Sequence, residues 1–208
     1  MSTKRIERKN QSANMLATVN DIARQADMNA LIFTLEHLAS PIGPMLLVTD
    51  DQHHLRALEW LDHESRMQAL LQRHYRHEVE LREPTGRSAP LLAVQAYFDG
   101  DITAIDALAV AMGGTEFQRK VWTALRDIPA GQTWSYRELA ARIGQPKAVR
   151  AVGMANGANL IGIVVPCHRV IGSDGSLTGY GGGLQRKQWL LDHERQALRG
   201  GLQGQTHT

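Results

Sequence analysis

The sequence predicts an α+β protein: a small N-terminal antiparallel sheet with helices, followed by a mainly helical C-terminal domain with a helix-turn-helix. Three observations predict it. Apolar, partly alternating runs come early, at Leu31 to His37, Met45 to Val48 and Leu55 to Trp60, with turn chemistry at Pro41-Ile42-Gly43-Pro44. Helix-period patterns follow from residue 65 onward. Two capping boxes, Thr115 with Gln118 and Ser135 with Glu138, then open helices in quick succession.

In chain order, residues 1–28 read as a polar, flexible extension, with Lys4, Arg5, Arg8 and Lys9 crowded together. An N-terminal α/β domain is expected over 29–114. The three apolar runs form its antiparallel meander, Ser65 to Tyr75 a helix with Met67, Leu70 and Leu71 on one face, and Ser88 to Phe98 a second helix with Pro90 near its start. Pro84 and Gly86 mark the loop between them, and Met112-Gly113-Gly114 a linker. The C-terminal domain, 115–199, opens with a helix from Glu116 to Asp127 whose stripe is Phe117, Val121 and Leu125. Helices at Tyr136 to Ile143 and Pro146 to Asn156, joined at Gly144-Gln145, have the look of a helix-turn-helix; Pro146 takes the first helical position and Gly157 lies just past the end. Ile161 to Val165 reads as a buried strand stopping at Pro166. Leu184 to Leu198 reads as a helix with Leu184, Leu191 and Leu198 in heptads and Glu194 on its surface, and residues 200–208 as a tail.

Composition narrows the function classes. Hydrophobic residues make up 43% of the 208 and charged residues 21%, ordinary globular usage that excludes a disordered or fibrous chain. No apolar stretch approaches the roughly 18–20 residues of a membrane helix, and the N-terminus lacks a secretory h-region, so a cytoplasmic location is expected. The single cysteine, Cys167, excludes an intramolecular disulfide and any zinc site of several thiolates. Charge is divided: residues 29–114 carry 6 Lys/Arg against 12 Asp/Glu, residues 115–199 carry 12 against 6. The second half is thus the electrostatic candidate for a polyanion such as nucleic acid. Lys147 and Arg150 sit there beside the small residues Ala148, Ala151, Gly153 and Ala155, which would let a helix approach another surface closely or pack against a neighbouring helix.

A free cysteine is most often a small core hydrophobe. Cys167 departs from that reading. It follows the apolar run and Pro166, has potential cations in His168 and Arg169, and precedes the glycine-rich Gly179-Tyr180-Gly181-Gly182-Gly183. A thiol near pKa 8.5 is only a few per cent thiolate at neutral pH, so a nucleophilic cysteine needs a base, cation or dipole beside it. Consecutive glycines suggest that something approaches the main chain closely. No Lys-Ser/Thr in Walker spacing follows, which disfavours a triphosphate loop.

Pro166-Cys167-His168-Arg169-Val170 stands with Asn156-Gly157-Ala158-Asn159 before it and Thr178-Gly179-Tyr180-Gly181-Gly182-Gly183-Leu184 and Lys187-Gln188-Trp189-Leu190-Leu191-Asp192-His193-Glu194 after it. Together these resemble the O6-alkylguanine-DNA alkyltransferase family, in its free-standing bacterial form; the likeness runs over nearly all of 29–198, including Ser40 to Pro44 and Gly114 to Gln118. The resemblance implies repair of DNA by irreversible transfer of an alkyl group from O6 of guanine, and O4 of thymine, to Cys167. It implies a relay in which Glu194 holds His168 and His168, through a water, takes the thiol proton, with Asn159 bracing the turn. It further implies minor-groove binding through the second helix (Lys147, Ala148, Ala151, Gly153), with Arg150 filling the stack vacated by a flipped nucleotide. Tyr136, Tyr180, Val170 and Gly181 match positions around the extruded base. Double-stranded DNA carrying alkylated bases is the partner implied, for a monomer with no metal and no cofactor, cytoplasmic and associated with the nucleoid when bound.

Leu160 stands where the family has proline, and Gly162 replaces a bulkier residue, so a looser loop beneath Cys167 is expected. Two rival readings exist. A sensor that binds alkylated bases without reacting has no need of Cys167. A Cys/His hydrolase would need an oxyanion motif and a third triad member that the sequence does not offer. A metal reading of His74 with His77, or of His53-His54, is weaker than that of an exposed polar face.

Overall fold

In this computed structural model of the chain, residues 30–203 are described, so the extension expected over residues 1–28 and the end of the tail lie outside them. Strands β1 (Leu31–Leu38), β2 (Met45–Thr49) and β3 (Leu55–Trp60) form the expected antiparallel meander, Thr34 pairing with Thr49 and Met45 with Trp60. A fourth strand, β4 (Val79–Arg82), pairs with β1 in parallel, giving the order β3-β2-β1-β4. The sheet is therefore mixed, not purely antiparallel. Four residues with two charges among them lack a readable alternation, and β4 exists because β1 offers it an edge.

Helices α1 (Glu64–Tyr75) and α2 (Ala89–Phe98) follow their sequence signals within a residue, and Ser88 caps α2 by accepting from Leu91 N–H. In the second half, α3 (Glu116–Arg126) and α4 (Tyr136–Arg142) each begin with the reciprocal capping box that the sequence predicts. Helix α5 (Val149–Gly157) starts three residues later than Pro146, and Gly157 is its last residue. Pro146 instead lies in a turn in which Ala148 N–H reaches the Gln145 carbonyl (2.8 Å). Two-residue strands β5 (Trp134–Ser135) and β6 (Val170–Ile171) pair in parallel, and α6 spans Leu184–Gln203.

The expected strand at Ile161 to Val165 is not one. Ile161 makes only an isolated bridge to Leu58, and Ile163 turns into the left-handed region at φ +67. These residues are apolar because they are buried, and a buried turn presents the same letters as a buried strand. On α6 the heptad reading also fails: Leu184 and Leu198 are exposed, and the buried stripe is Lys187, Leu190, Leu191 and Glu194. Among the described residues no helix is long and apolar enough to cross a membrane.

One buried cluster runs through both halves of the chain, with Trp60 and Tyr97 from the first half and Trp122 and Leu190 from the second among its members. His74, at the end of α1, belongs to this junction and not to an exposed polar face. Its ring tilts against Trp122 (centroids 5.3 Å apart), and its Nε2 is buried without a partner. Burial, with Arg73 and Arg66 nearby, pushes its pKa down to about 4. Below the ordinary histidine value of 6.5 the unfolded chain takes up a proton that folded His74 declines, so stability is expected to fall as pH drops from 6.5 toward 4. Urea denaturation of His74→Phe should show a shallower loss over that window than the parent.

Candidate active site

The turn that carries the cysteine is built by Asn159. Its side-chain oxygen accepts from Ile161 N–H (3.0 Å) and its amide donates to the Val165 carbonyl (2.8 Å), closing the loop over itself. Leu58 of β3 donates its N–H to the Leu160 carbonyl (2.8 Å) and accepts from Gly162 N–H (2.9 Å). The loop expected to be loose is thus stitched to the sheet. A Cβ at Gly162 would stand 3.1 Å from the Leu58 carbonyl oxygen, so the glycine suits this close approach.

A 3-10 turn, Cys167–Arg169, follows and leads into β6. Cys167 retains 7% of its surface, whereas His168 beside it has none. Burial pushes the Cys167 thiol up, while a hydrogen bond from Asn159 and the charges of Lys187 and Arg66 pull it down; the net direction is up. The resting group is therefore the thiol, and a reaction at its sulfur would need a base beside it.

Glu194, read from sequence as a surface carboxylate, is fully buried and gathers donors. Oε1 accepts from His168 Nε2 (2.8 Å), Arg169 Nη2 (2.8 Å) and Tyr97 Oη (3.1 Å); Oε2 accepts from Gly131 N–H (2.9 Å). Burial works against its charge, but His168 and Arg169 outweigh that and hold it well below the usual carboxylate range. An ionised carboxylate only accepts, so His168 must carry its proton on Nε2. Burial keeps this imidazole neutral against the pull of Glu194. Nδ1 is then a bare lone pair, and it is buried with no partner. An oriented, neutral histidine with a free basic nitrogen is what a general base requires.

Sequence reasoning missed several parts of this arrangement. Arg169 is no cation for the thiol: it is spent on Glu194 and on the Ile128 carbonyl (2.6 Å). Lys187 is fully buried; its ammonium donates to the carbonyls of Val170 and Thr178, and burial lowers its pKa to about 8. Glu59 on β3 pairs with Arg66 on α1, which also donates to the Gly157 carbonyl (2.5 Å). The signal available for Lys187 and Glu194 was their place on the one buried stripe of α6.

The match extends beyond the motif. A family model described as 6-O-methylguanine DNA methyltransferase, DNA binding domain, matches residues 116–196. A methylated-DNA–protein-cysteine methyltransferase of Salmonella typhimurium is 56% identical over 163 residues, covering 76% of this chain and 94% of that one. This chain belongs to the methylated-DNA–protein-cysteine methyltransferase family. A Methanosarcina barkeri relative of the same name is 44% identical over 162 residues, covering 78% and 97%. Two solved Mycobacterium tuberculosis structures also align: O6-methylguanine methyltransferase (40% identity, TM-score 0.60) and OGT in complex with DNA (39%, 0.62), each covering 80% of this chain and 94% of the other.

In this alkyltransferase the pairing of β5 with β6 brings Tyr136, the first residue of α4, beside the cysteine turn. The Tyr136 hydroxyl donates to the Gly179 carbonyl (3.1 Å), and its ring lies 3.9 Å from where a Cβ at Gly153 would stand. Tyr180 is half-buried and hydrogen-bonds Trp60. Val170 is fully buried; its N–H goes to the Cys167 carbonyl and its own carbonyl accepts from the Lys187 ammonium. Gly181 lies against the Arg66 guanidinium, 3.3 Å from a virtual Cβ. At Gly182 a Cβ would fall 2.2 Å from Trp60 Nε1, so what approaches the glycine segment here is the protein's own tryptophan.

Helix α5 divides by face. Val152, Ala155 and Asn156 are buried, and the Ala155 carbonyl accepts from Trp122 Nε1–H (2.8 Å). Lys147, Arg150 and Ala151 are exposed, Ala148 and Gly153 half-buried, and Met154, which the sequence did not single out, is 78% exposed. The small residues therefore serve both alternatives: Ala155 packs inward, Ala151 lies open. Among the described residues no group of three or more His, Cys, Asp or Glu could hold a metal.

Proposed function

We propose that this chain repairs DNA by direct reversal, transferring a methyl or larger alkyl group from O6 of guanine, and from O4 of thymine, to the sulfur of its own Cys167. The observation that carries the reading is the free, buried Nδ1 of His168, whose other nitrogen is fixed on Glu194, in the residue adjacent to a lone buried thiol. His168 takes the thiol proton through a bridging water. The thiolate attacks the alkyl carbon, the carbon–oxygen bond breaks with its electron pair going to the base oxygen, and the restored base takes up a proton at ring nitrogen. The product thioether is uncharged and a poor leaving group, so each chain reacts once.

At 7% exposure Cys167 is too enclosed to meet a base within a duplex, so the nucleotide must be turned out of the stack and the Tyr136 and 178–183 wall must give way. Residues 115–199 carry the DNA-binding and acceptor functions and 29–114 support them; Lys147, Ala148, Ala151 and Gly153 line the groove face. Val170 and Gly181 main-chain groups meet the base edge, and Tyr136 and Tyr180 its faces. The partner is double-stranded DNA containing alkylated bases, and the protein acts as a cytoplasmic monomer.

The test is stoichiometric consumption of O6-methylguanine in a duplex, with the burst ending at one methyl per chain; continued turnover would refute the mechanism. Arg150→Ala should reduce repair in duplexes at least tenfold while leaving reaction with free O6-methylguanine nearly unchanged. Equal losses on both substrates would remove Arg150 from the flipping step. Duplex affinity should fall with rising salt as phosphate contacts release counterions.

A further inference from the structure

Tyr97 lies in the first half of the chain, 97 residues from its partner, yet its hydroxyl ends on the relay carboxylate. It is completely buried on α2. Its grip on α6 is double: the hydroxyl donates to Glu194 Oε1 (3.1 Å) and its backbone carbonyl accepts from His193 Nε2 (2.7 Å). The His193 ring stacks on Trp189 (4.8 Å, 12° between planes) and meets Tyr97 edge-on (5.2 Å), so the segment around Glu194 is clamped from the side of the sheet domain.

We propose that Tyr97 is a positioning residue of the transfer reaction, whose hydroxyl orients Glu194 and moderates the basicity of His168 by sharing the carboxylate oxygen that holds it. This rests on the relay proposed above. Oε1 is the more heavily used oxygen, since His168, both Arg169 donors and Tyr97 converge on it, while Oε2 serves Gly131 and Arg169 Nε. Each donor draws negative charge from the atom that supports an imidazolium at His168. The other charged and titratable groups around this histidine are Arg169 and Cys167 on its own turn, and Lys187 on α6. Around Tyr97 stand Glu194, Arg169, Tyr180 and His193, and burial beside Glu194 keeps its phenol protonated, hence a donor. Removing that donor leaves more charge on Oε1 for His168, and the histidine becomes the stronger base.

The experiment measures single-turnover transfer from saturating O6-methylguanine duplex against pH for the full chain, Tyr97→Phe and Val94→Ala. Val94 is a fully buried α2 residue one turn before Tyr97 whose side chain has no polar atom to offer Glu194, so its truncation reports loss of packing alone. Tyr97→Phe should move the acid limb of the rate profile up by about half to one pH unit, whereas Val94→Ala should lower Tm and leave the limb in place. A difluorinated tyrosine at position 97, a stronger donor, should move the limb down. An unmoved limb in both position-97 variants, with only Tm altered, would reduce Tyr97 to a packing residue. Transfer by the parent chain tests the underlying reading separately: if the parent fails to react, the relay itself is wrong.

Discussion

Glu194→Gln is expected to destabilise the fold by about 3–5 kcal/mol, because it removes the carboxylate that pairs with buried Arg169 while leaving that charge in place. Transfer should slow by roughly a hundredfold or more, the low end of what an oriented general base contributes. The pH dependence follows from the sign of the shift. Glu194 is held below its ordinary value of 4.5 in the fold, so its stabilisation is fully present above that value and is lost as pH falls through the depressed one. Denaturant titrations of parent and variant should therefore differ by a constant amount from neutral pH down to about 4.5 and converge below it. A surface carboxylate would give almost no difference at any pH.

Asn159→Ala attacks the same chemistry from the loop. Buried Ile161 N–H loses its partner, while the Val165 carbonyl keeps its bond from Cys167 N–H (2.8 Å), and at about 1–3 kcal/mol for the one unsatisfied group the fold should lose about that much. The thiol also loses a hydrogen bond that favours its ionisation. The rate of thiol modification by a small alkylating reagent should drop, its pH profile moving upward, even where DNA binding is intact. Stability loss with an unmoved profile would limit Asn159 to shaping the loop.

Local rules carried the sequence reading where the signal was local. Both capping boxes form as written because Thr115 with Gln118 and Ser135 with Glu138 satisfy each other within one turn. β4 was illegible because its stability comes from the edge of β1 and not from its own letters. The run at Ile161 to Val165 misled for the opposite reason: its apolar character reports depth, and depth does not distinguish a strand from a turn held by Asn159.

The site divides in the same way. Cys167 and His168 stand together in the chain and could be named from the motif, but no spacing rule places Glu194, 26 residues on, against His168. Arg169 looked like a cation for its sulfur neighbour and is instead committed to Glu194. Tyr97, Lys187 and the Glu59–Arg66 pair act across the junction between the two halves of the chain, where only the packed fold reveals proximity.

In the reaction proposed above, one sulfur atom receives the alkyl group. Intact-mass spectrometry of the chain after reaction with O6-methylguanine duplex, followed by peptide mapping, tests it most directly. The expected result is a gain of a single methyl, confined to the peptide containing Cys167 and absent from Cys167→Ala. A methyl found on any other residue, or undiminished removal of the lesion by Cys167→Ala, would contradict it.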